Sequence, residues 1–201
     1  MNAIRRILLI AAVLLAVIPA AEAQLRYGIR LGGVISDASL KDAGDYSLTN
    51  KGSFSGGFVL EYQVPTCGFA ADVALLYTRY NVRLQHDGAR EGNFSRNFVE
   101  IPVHAKYKFW MPAFHNLFAP LVYTGPSLMI RAGNSHGNPM ATDVLQPGWD
   151  VGIGFDIVNF IQVQGGYRFG LGNAAKSFAA HPDARYRTNG WQVNATILFD
   201  F

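Results

Sequence analysis

The 201-residue sequence predicts an all-β protein, an eight-stranded antiparallel up-and-down transmembrane β-barrel. Three observations carry this prediction. Apolar and polar residues alternate in segments of about ten residues, the length that a tilted strand needs to cross a bilayer. The polar side of several segments is rich in glycine, and long polar connections alternate with shorter ones. With 15% charged and 50% hydrophobic residues, the chain is also poor in charge for a soluble protein.

Residues 1–23 have the three parts of a secretory signal peptide. Two arginines precede the apolar stretch 7–18, and small residues stand before Gln24. The apolar stretch is shorter than the ~20 residues that a membrane-spanning helix needs. We therefore expect export, cleavage after residue 23, and a β-barrel domain over 24–201.

Charge and cysteine content narrow the function classes further. The formal charge is +3, and it falls to +2 when Arg5, Arg6 and Glu22 leave with the signal, which is not the footprint of a nucleic-acid-binding protein. Cys67 is the only cysteine, so an intramolecular disulfide cannot form, and the expected mature N-terminus has no cysteine for a lipid anchor.

Eight alternating segments follow the signal peptide: residues 25–36, 53–63, 68–78, 99–109, 118–131, 147–157, 160–171 and 190–201. In the clearest of them, 99–109, the residues Val99, Ile101, Val103, Ala105, Tyr107 and Phe109 oppose Glu100, His104, Lys106 and Lys108. The weakest is 118–131, because Pro120 and Pro126 interrupt it and neither side is plainly polar. The sequence does not decide which side of this segment points into the barrel.

Alternation alone also fits a soluble lipocalin-like barrel with an apolar interior. Four observations favour the inverted, membrane arrangement. Glycines on the polar side suit a crowded lumen, and the long connections 37–52, 79–97, 132–146 and 172–189 contrast with the shorter 64–67, 110–117 and 158–159. Aromatic residues on the apolar side stand near both strand ends, as in interfacial girdles. The last segment can close against the first, and its Ile197, Phe199 and Phe201 resemble the recognition signal of the barrel assembly machinery.

This register predicts a charge network inside the barrel: Arg26, Arg30, Glu61, Asp72, Glu100, His104, Lys106, Lys108, Asp150, Asp156, Arg168 and Asp200. Positive and negative charges nearly balance, as a plugged lumen requires, because buried charges must be paired. At eight strands the interior is only wide enough for side chains. We therefore expect a structural network, with a proton or ion path as the alternative.

Loop 79–97 and its flank are basic and aromatic, with Arg79, Tyr80, Arg83, Arg90, Arg96 and Phe98. Such a loop could bind lipopolysaccharide phosphates at the outer leaflet, next to the outer membrane lipids around the barrel. A solvated loop without a partner is the alternative.

The candidates for catalysis are Ser135 with His136, and Ser177 with His181 and Asp183. Neither cluster has a spacing that catalytic chemistry demands. His86, His115, His136 and His181 fall in four separate connections, so no metal site is predicted. The sequence lacks a phosphate-binding glycine motif, and we expect no cofactor.

The segment 99–109 resembles the "EIP…KYKF" strand of the PorT-type outer membrane β-barrel family of Bacteroidetes-like bacteria. Residues 27–33, 122–128, 152–156 and 166–171 are similar to further strands of that family. The resemblance implies eight strands, with 118–131 as the fifth. The family's namesake is associated with type IX protein secretion, and no functional residue is carried over from it.

The leading hypothesis is therefore a non-enzymatic barrel of the cell envelope that serves structure or presents its loops to a partner, with an accessory role in protein secretion as one form of it. The partner would be an extracellular or secretion-system protein. A lipid A acyltransferase or deacylase and a narrow, porin-like solute channel are the alternatives.

We predict that the exported protein begins at Gln24 and fractionates with the outer membrane, because the apolar stretch 7–18 fits a cleavable signal better than an anchor. N-terminal sequencing of the membrane fraction checks this. Recovery of residues 1–23 on the mature protein would contradict it.

Overall fold

The computed structural model describes residues 24–41, 46–64, 67–86, 89–109, 117–134, 140–142, 144–171, 175–178 and 185–200. They form ten strands: β1 (Gln24–Lys41), β2 (Tyr46–Gln63), β3 (Phe69–His86), β4 (Ala89–Lys108), β5 (Phe118–Asn134), β6 (Met140–Thr142), β7 (Leu145–Ile157), β8 (Ile161–Gly170), β9 (Ala175–Phe178) and β10 (Arg185–Asp200). In this part of the chain no helix is long and apolar enough to cross a bilayer. The predicted signal peptide, 1–23, lies outside the described residues.

Eight of the strands form a closed antiparallel barrel in the order β1-β2-β3-β4-β5-β7-β8-β10, which confirms the predicted fold class. The wall closes where β1 pairs with β10 in a ladder that runs from Arg26↔Asp200 to Lys41↔Arg185. The short strands β6 and β9 pair with each other, and β9 extends the sheet beside β10. Closure leaves no free sheet edge around the barrel, which is what a bilayer requires of a β-structure.

The outer face of this barrel is apolar, and the charged side chains of its wall point into the lumen, as predicted for a membrane protein. Phe58 is 71% exposed, whereas Glu61, three residues later on the same strand, is fully buried. Aromatic residues of the two predicted girdles are exposed on the outer surface: Tyr27, Phe69, Phe109 and Phe199 at one end, and Phe54, Tyr77, Trp149, Phe169 and Trp191 at the other.

The facing of β5, which the sequence left open, is settled by its burial pattern. Tyr123, Ser127 and Met129 are buried in the lumen, while Pro120 and Pro126 lie on the other side of the strand. Tyr123 fits because glycines face it: a Cβ at Gly152 would stand 2.5 Å from its ring, and one at Gly166 would collide with its hydroxyl.

The long connections are shorter than the sequence predicted, and this corrects the boundaries of loop 79–97. β3 and β4 stay paired up to His86↔Ala89, so most of the predicted loop is a two-stranded hairpin. Likewise β1 extends to Lys41 and β2 begins at Tyr46. An antiparallel pair satisfies its own backbone donors and acceptors, so pairing continues beyond the bilayer for as long as the register holds.

At the opposite end of the barrel, residues 158–160 join β7 to β8 in a tight turn. Val158 and Asn159 have φ angles of 56° and 54°, and the Phe160 N–H donates to the Ile157 carbonyl at 3.1 Å. This left-handed pair fits the twist of a tight hairpin.

We predict that Ala195→Pro destroys the closed barrel while Ala195→Val preserves it. Ala195 lies in the closing region, opposite Leu31 on one side and Val163 on the other. Proline removes one ladder donor inside the bilayer, where an unsatisfied backbone group costs several kcal/mol, whereas valine keeps the N–H. Gel migration before and after boiling checks closure: wild type and A195V should shift, and A195P should not. Identical migration of unboiled and boiled wild type would contradict a closed barrel.

Candidate functional site

The end of the lumen near Gln24 and Asp200 holds a set of ion pairs around Glu61, here called the Glu61 cluster: Arg26, Glu61, Lys106, Lys108, Asp156 and Gln162. Arg26 pairs with Glu61, whose two oxygens also accept from Lys106 Nζ at 2.7 Å and Lys108 Nζ at 2.9 Å. Lys108 Nζ lies 2.6 Å from Asp156 Oδ2. Five strands, β1, β2, β4, β7 and β8, are tied together at this point.

Arg26 also stabilises the tight β7–β8 turn. Its Nη1 donates to the Asn159 carbonyl at 2.7 Å. Arg26 therefore pairs with Glu61 and also binds a backbone carbonyl at this end of the barrel.

A second set of ion pairs, the Arg168 cluster, lies further along the lumen. Arg168 binds Asp150 with two nitrogens, Nε to Oδ1 at 2.7 Å and Nη2 to Oδ2 at 2.9 Å. Its Nη1 donates to Glu100 Oε2 at 2.9 Å, and the Tyr80 hydroxyl donates to the other oxygen of Glu100 at 3.0 Å. Such a bidentate arginine–carboxylate pair fixes the orientation of both side chains and neutralises their charges.

Asp72 and His104 connect the two clusters. Asp72 pairs with Arg30 and, at 2.6 Å, with Lys106 Nζ of the Glu61 cluster. The His104 ring stands between two carboxylates: Nδ1 is 3.2 Å from Asp72 Oδ1, and Nε2 is 3.2 Å from Asp150 Oδ2. The ring also packs on Tyr123 with a centroid separation of 4.9 Å. Asp72 and His104 thus bring the two clusters within charge–charge contact of each other.

The structure places the predicted network residues inside the lumen with one exception. Arg26, Arg30, Glu61, Asp72, Glu100, His104, Lys106, Lys108, Asp150, Asp156 and Arg168 are all buried and in ion-pair contact. Asp200 is exposed, and this part of the prediction is wrong. It lies opposite Arg26 at the very end of β10, but the guanidinium of Arg26 points to Glu61, Asp156 and the Asn159 carbonyl instead.

Sequence reasoning also missed several lumen residues. Tyr80, Arg96 and Phe98, assigned to a loop, are buried inward-facing residues of β3 and β4. The signal was present, because the alternation that places Leu76 and Thr78 inward continues to Tyr80. Neutral partners were overlooked because only charges were counted: Gln162 donates to Glu61 at 2.9 Å, and Ser127 donates to Asp150 at 3.2 Å.

Apolar side chains fill much of the remaining lumen. Val34, Tyr80, Phe98 and Met129 form one buried cluster towards the long hairpins. Val59, Ala74, Leu76 and Leu198 form another. Side chains from opposite walls meet inside the barrel, as expected at eight strands.

The predicted catalytic candidates fall almost entirely outside the described residues. Ser135, His136, His181 and Asp183 lie there, and so does His115. Only the backbone of Ser177 is described; it lies in β9 and pairs with Ala141 of β6. Within the described ranges, no group of three or more His, Cys, Asp or Glu side chains could hold a metal ion.

Comparison with known proteins supports the same class of molecule. The family model of the outer membrane protein beta-barrel domain matches residues 8–199, almost the whole chain. No curated protein matches the sequence.

We predict that Asp150→Asn lowers the free energy of unfolding by about 3 kcal/mol, because a buried charge that loses a charged partner is destabilising. Arg168 binds Asp150 through two nitrogens, and the substitution leaves Glu100 as its remaining carboxylate partner. The matched control is Asp200→Asn, at an exposed position on β10, and we expect no measurable change from it. Urea unfolding in lipid vesicles measures both. Equal loss in the two variants would contradict a buried network.

Proposed function

Because the chain belongs to the outer membrane protein beta-barrel domain family, it is an outer membrane β-barrel protein of bacteria, and we propose that it is non-enzymatic, serving envelope structure and presenting its long hairpins to a partner. The observation that carries this proposal is the filled lumen. Ion pairs and apolar clusters occupy the space that a solute path would need. Contacts inside the lumen stabilise such a barrel, and its two ends are the surfaces on which a partner can be recognised.

The arrangement of the strand ends supports an orientation. An even number of barrel strands brings Gln24 and Asp200 to the same end, together with the tight turn at Val158 and Asn159. The ladders of β1 with β10, of β2 with β3 and of β3 with β4 extend furthest at the other end. Outer membrane barrels have short periplasmic turns and longer external connections. We therefore infer that both termini lie in the periplasm and that the long strand extensions lie outside.

The proposed partners at the outer end include lipopolysaccharide. Arg79 is exposed and follows Tyr77 of the aromatic girdle by two positions, on the same outer face of β3. Its Nη2 is 3.5 Å from Ser95 Oγ, so the guanidinium lies at the start of the β3–β4 hairpin. An arginine just beyond an aromatic girdle is suited to bind lipid phosphates.

A more specific form of the proposal is a PorT-like accessory of protein secretion, inserted by the barrel assembly machinery through the C-terminal strand. Its support is the resemblance of residues 99–109 to the PorT-type strand, together with the aromatic end of β10. In this form the outer hairpins bind an extracellular or secretion-system protein.

We predict that the purified protein gives no stepwise conductance in planar bilayers, because ion pairs and apolar clusters occupy the described lumen. Lipid A mass spectra from a deletion strain should also match those of the parent strain. A conductance that Arg168→Ala raises would indicate a channel. A lipid A species that changes in the deletion strain and returns on complementation would indicate an enzyme. Either outcome would overturn the proposal.

A further inference from the structure

Tyr123 and Gln164 are two buried side chains of the lumen whose hydrogen-bonding groups are not fully used. Gln164 of β8 is 1% exposed, and neither its amide oxygen nor its amide nitrogen has a hydrogen-bond partner among the described residues. The Tyr123 hydroxyl on β5 accepts a bond from Gln192 Nε2 at 3.5 Å, and in the same part of the chain no acceptor takes its proton. Buried polar groups are costly unless they are hydrogen-bonded, so we expect a further partner for both side chains.

The two side chains lie next to each other on the inner surface of β7 and β8. The Tyr123 hydroxyl packs over Gly166, where a Cβ would collide with its oxygen. Gln164 is the next inward-facing residue of the same strand. Its Cγ would lie 3.0 Å from a Cβ on Gly154, its ladder partner on β7. The hydroxyl and the amide therefore project into the lumen from neighbouring inward positions of β8.

The spacing of these positions fits one small bridging molecule. Residues two apart on a strand are separated by about 6.6 Å, at about 3.3 Å per residue. A water molecule that bonds two polar atoms spans about 5.8 Å, because each hydrogen bond is about 2.9 Å long. A single water can therefore reach both the hydroxyl and the amide, which do not bond each other directly.

The unused groups also decide the chemistry of the ligand. Tyr123 offers a donor, and Gln164 offers both a donor and an acceptor. An anion would leave the amide oxygen without a partner, and a cation would leave the two donors without one. A water molecule both donates and accepts, and a buried water typically makes about three hydrogen bonds. In a lumen occupied by ion pairs and apolar clusters, it is also the smallest ligand that meets this requirement.

We propose that Tyr123 and Gln164 bind one internal water molecule in the lumen. The Tyr123 hydroxyl donates to the water, and the water donates to Gln164 Oε1. Gln192, which donates to the Tyr123 hydroxyl, also accepts from Arg168 Nη2 at 3.3 Å, so the water connects Gln164 to the Arg168 cluster. The site joins β5 to β8, which are separated by β7 in the sheet and share no backbone ladder.

The test is a double-mutant cycle on the full barrel, refolded in lipid vesicles and unfolded in urea. Gln164→Met and Tyr123→Phe each remove one partner of the water, and each should lower the urea midpoint because the remaining groups lose a bond. The double variant should lose less than the sum of the two shifts, because both partners share one water. Heat-dependent gel migration verifies that each variant is folded.

Gln162→Met is the matched control, two residues away on the same strand. Its amide donates directly to Glu61 at 2.9 Å, so its shift should add to that of Tyr123→Phe. Additive shifts of Gln164→Met and Tyr123→Phe would overturn the proposal. So would a higher midpoint of Gln164→Met, because removal of a buried amide that has no ligand is stabilising.

NMR spectroscopy of the barrel in lipid nanodiscs detects the water directly. The side-chain amide of Gln164, identified by its loss in Gln164→Met, should give cross peaks to water of opposite sign in NOE and ROE spectra. A wild type without these cross peaks would refute the bound water. None of these measurements depends on the orientation of the barrel or on a partner at its outer end, so they test the site separately from the proposed function.

Discussion

The pairing of β1 with β10 is the contact on which the rest of the structure depends. Inside a bilayer no water can satisfy an exposed N–H or carbonyl group, so a sheet is stable there only when it has no edge. The ladder between these strands continues from Arg26↔Asp200 to Lys41↔Arg185 and closes the wall along its full height. Closure also forces one face of every strand into a shared interior. The inward-facing polar residues of the eight strands thereby become partners for one another, beside the apolar clusters of the lumen.

That interior is stable because its charges are distributed among several strands. Glu61 of β2 binds cations from β1 and β4, and Arg168 of β8 binds carboxylates from β4 and β7. A buried charge is costly unless it is paired and hydrogen-bonded, so each pair also holds its strands in register. His104, between Asp72 and Asp150, makes the two clusters one network.

The same network compensates for the weakest stretch of the wall. β4 loses ladder pairing to β3 and to β5 around Pro102 and His104. Its inward side chains nevertheless reach partners on β2, β3, β7 and β8, through Lys106, His104 and Glu100. Side-chain contacts across the lumen thus hold a strand whose backbone bonds are interrupted.

The sequence by itself determined the number of barrel strands, the direction in which most of them face and most of the charged residues that line the lumen. These properties follow from a local rule, since alternate side chains of a strand point to opposite faces. Where the rule gave no clear contrast, as in 118–131, only the closed barrel showed that Tyr123 and Ser127 point inward. The tertiary structure alone also decided which charges meet: Arg26 with Glu61, Arg168 with Asp150 and Glu100, and His104 between two carboxylates. The two residues of each pair lie far apart in the sequence. Whether they stand at the same height in the lumen depends on the stagger of the strands around the barrel, which no single segment encodes. Asp200 has the inward position in its strand but lies at the rim, beyond the height at which the opposite walls supply partners.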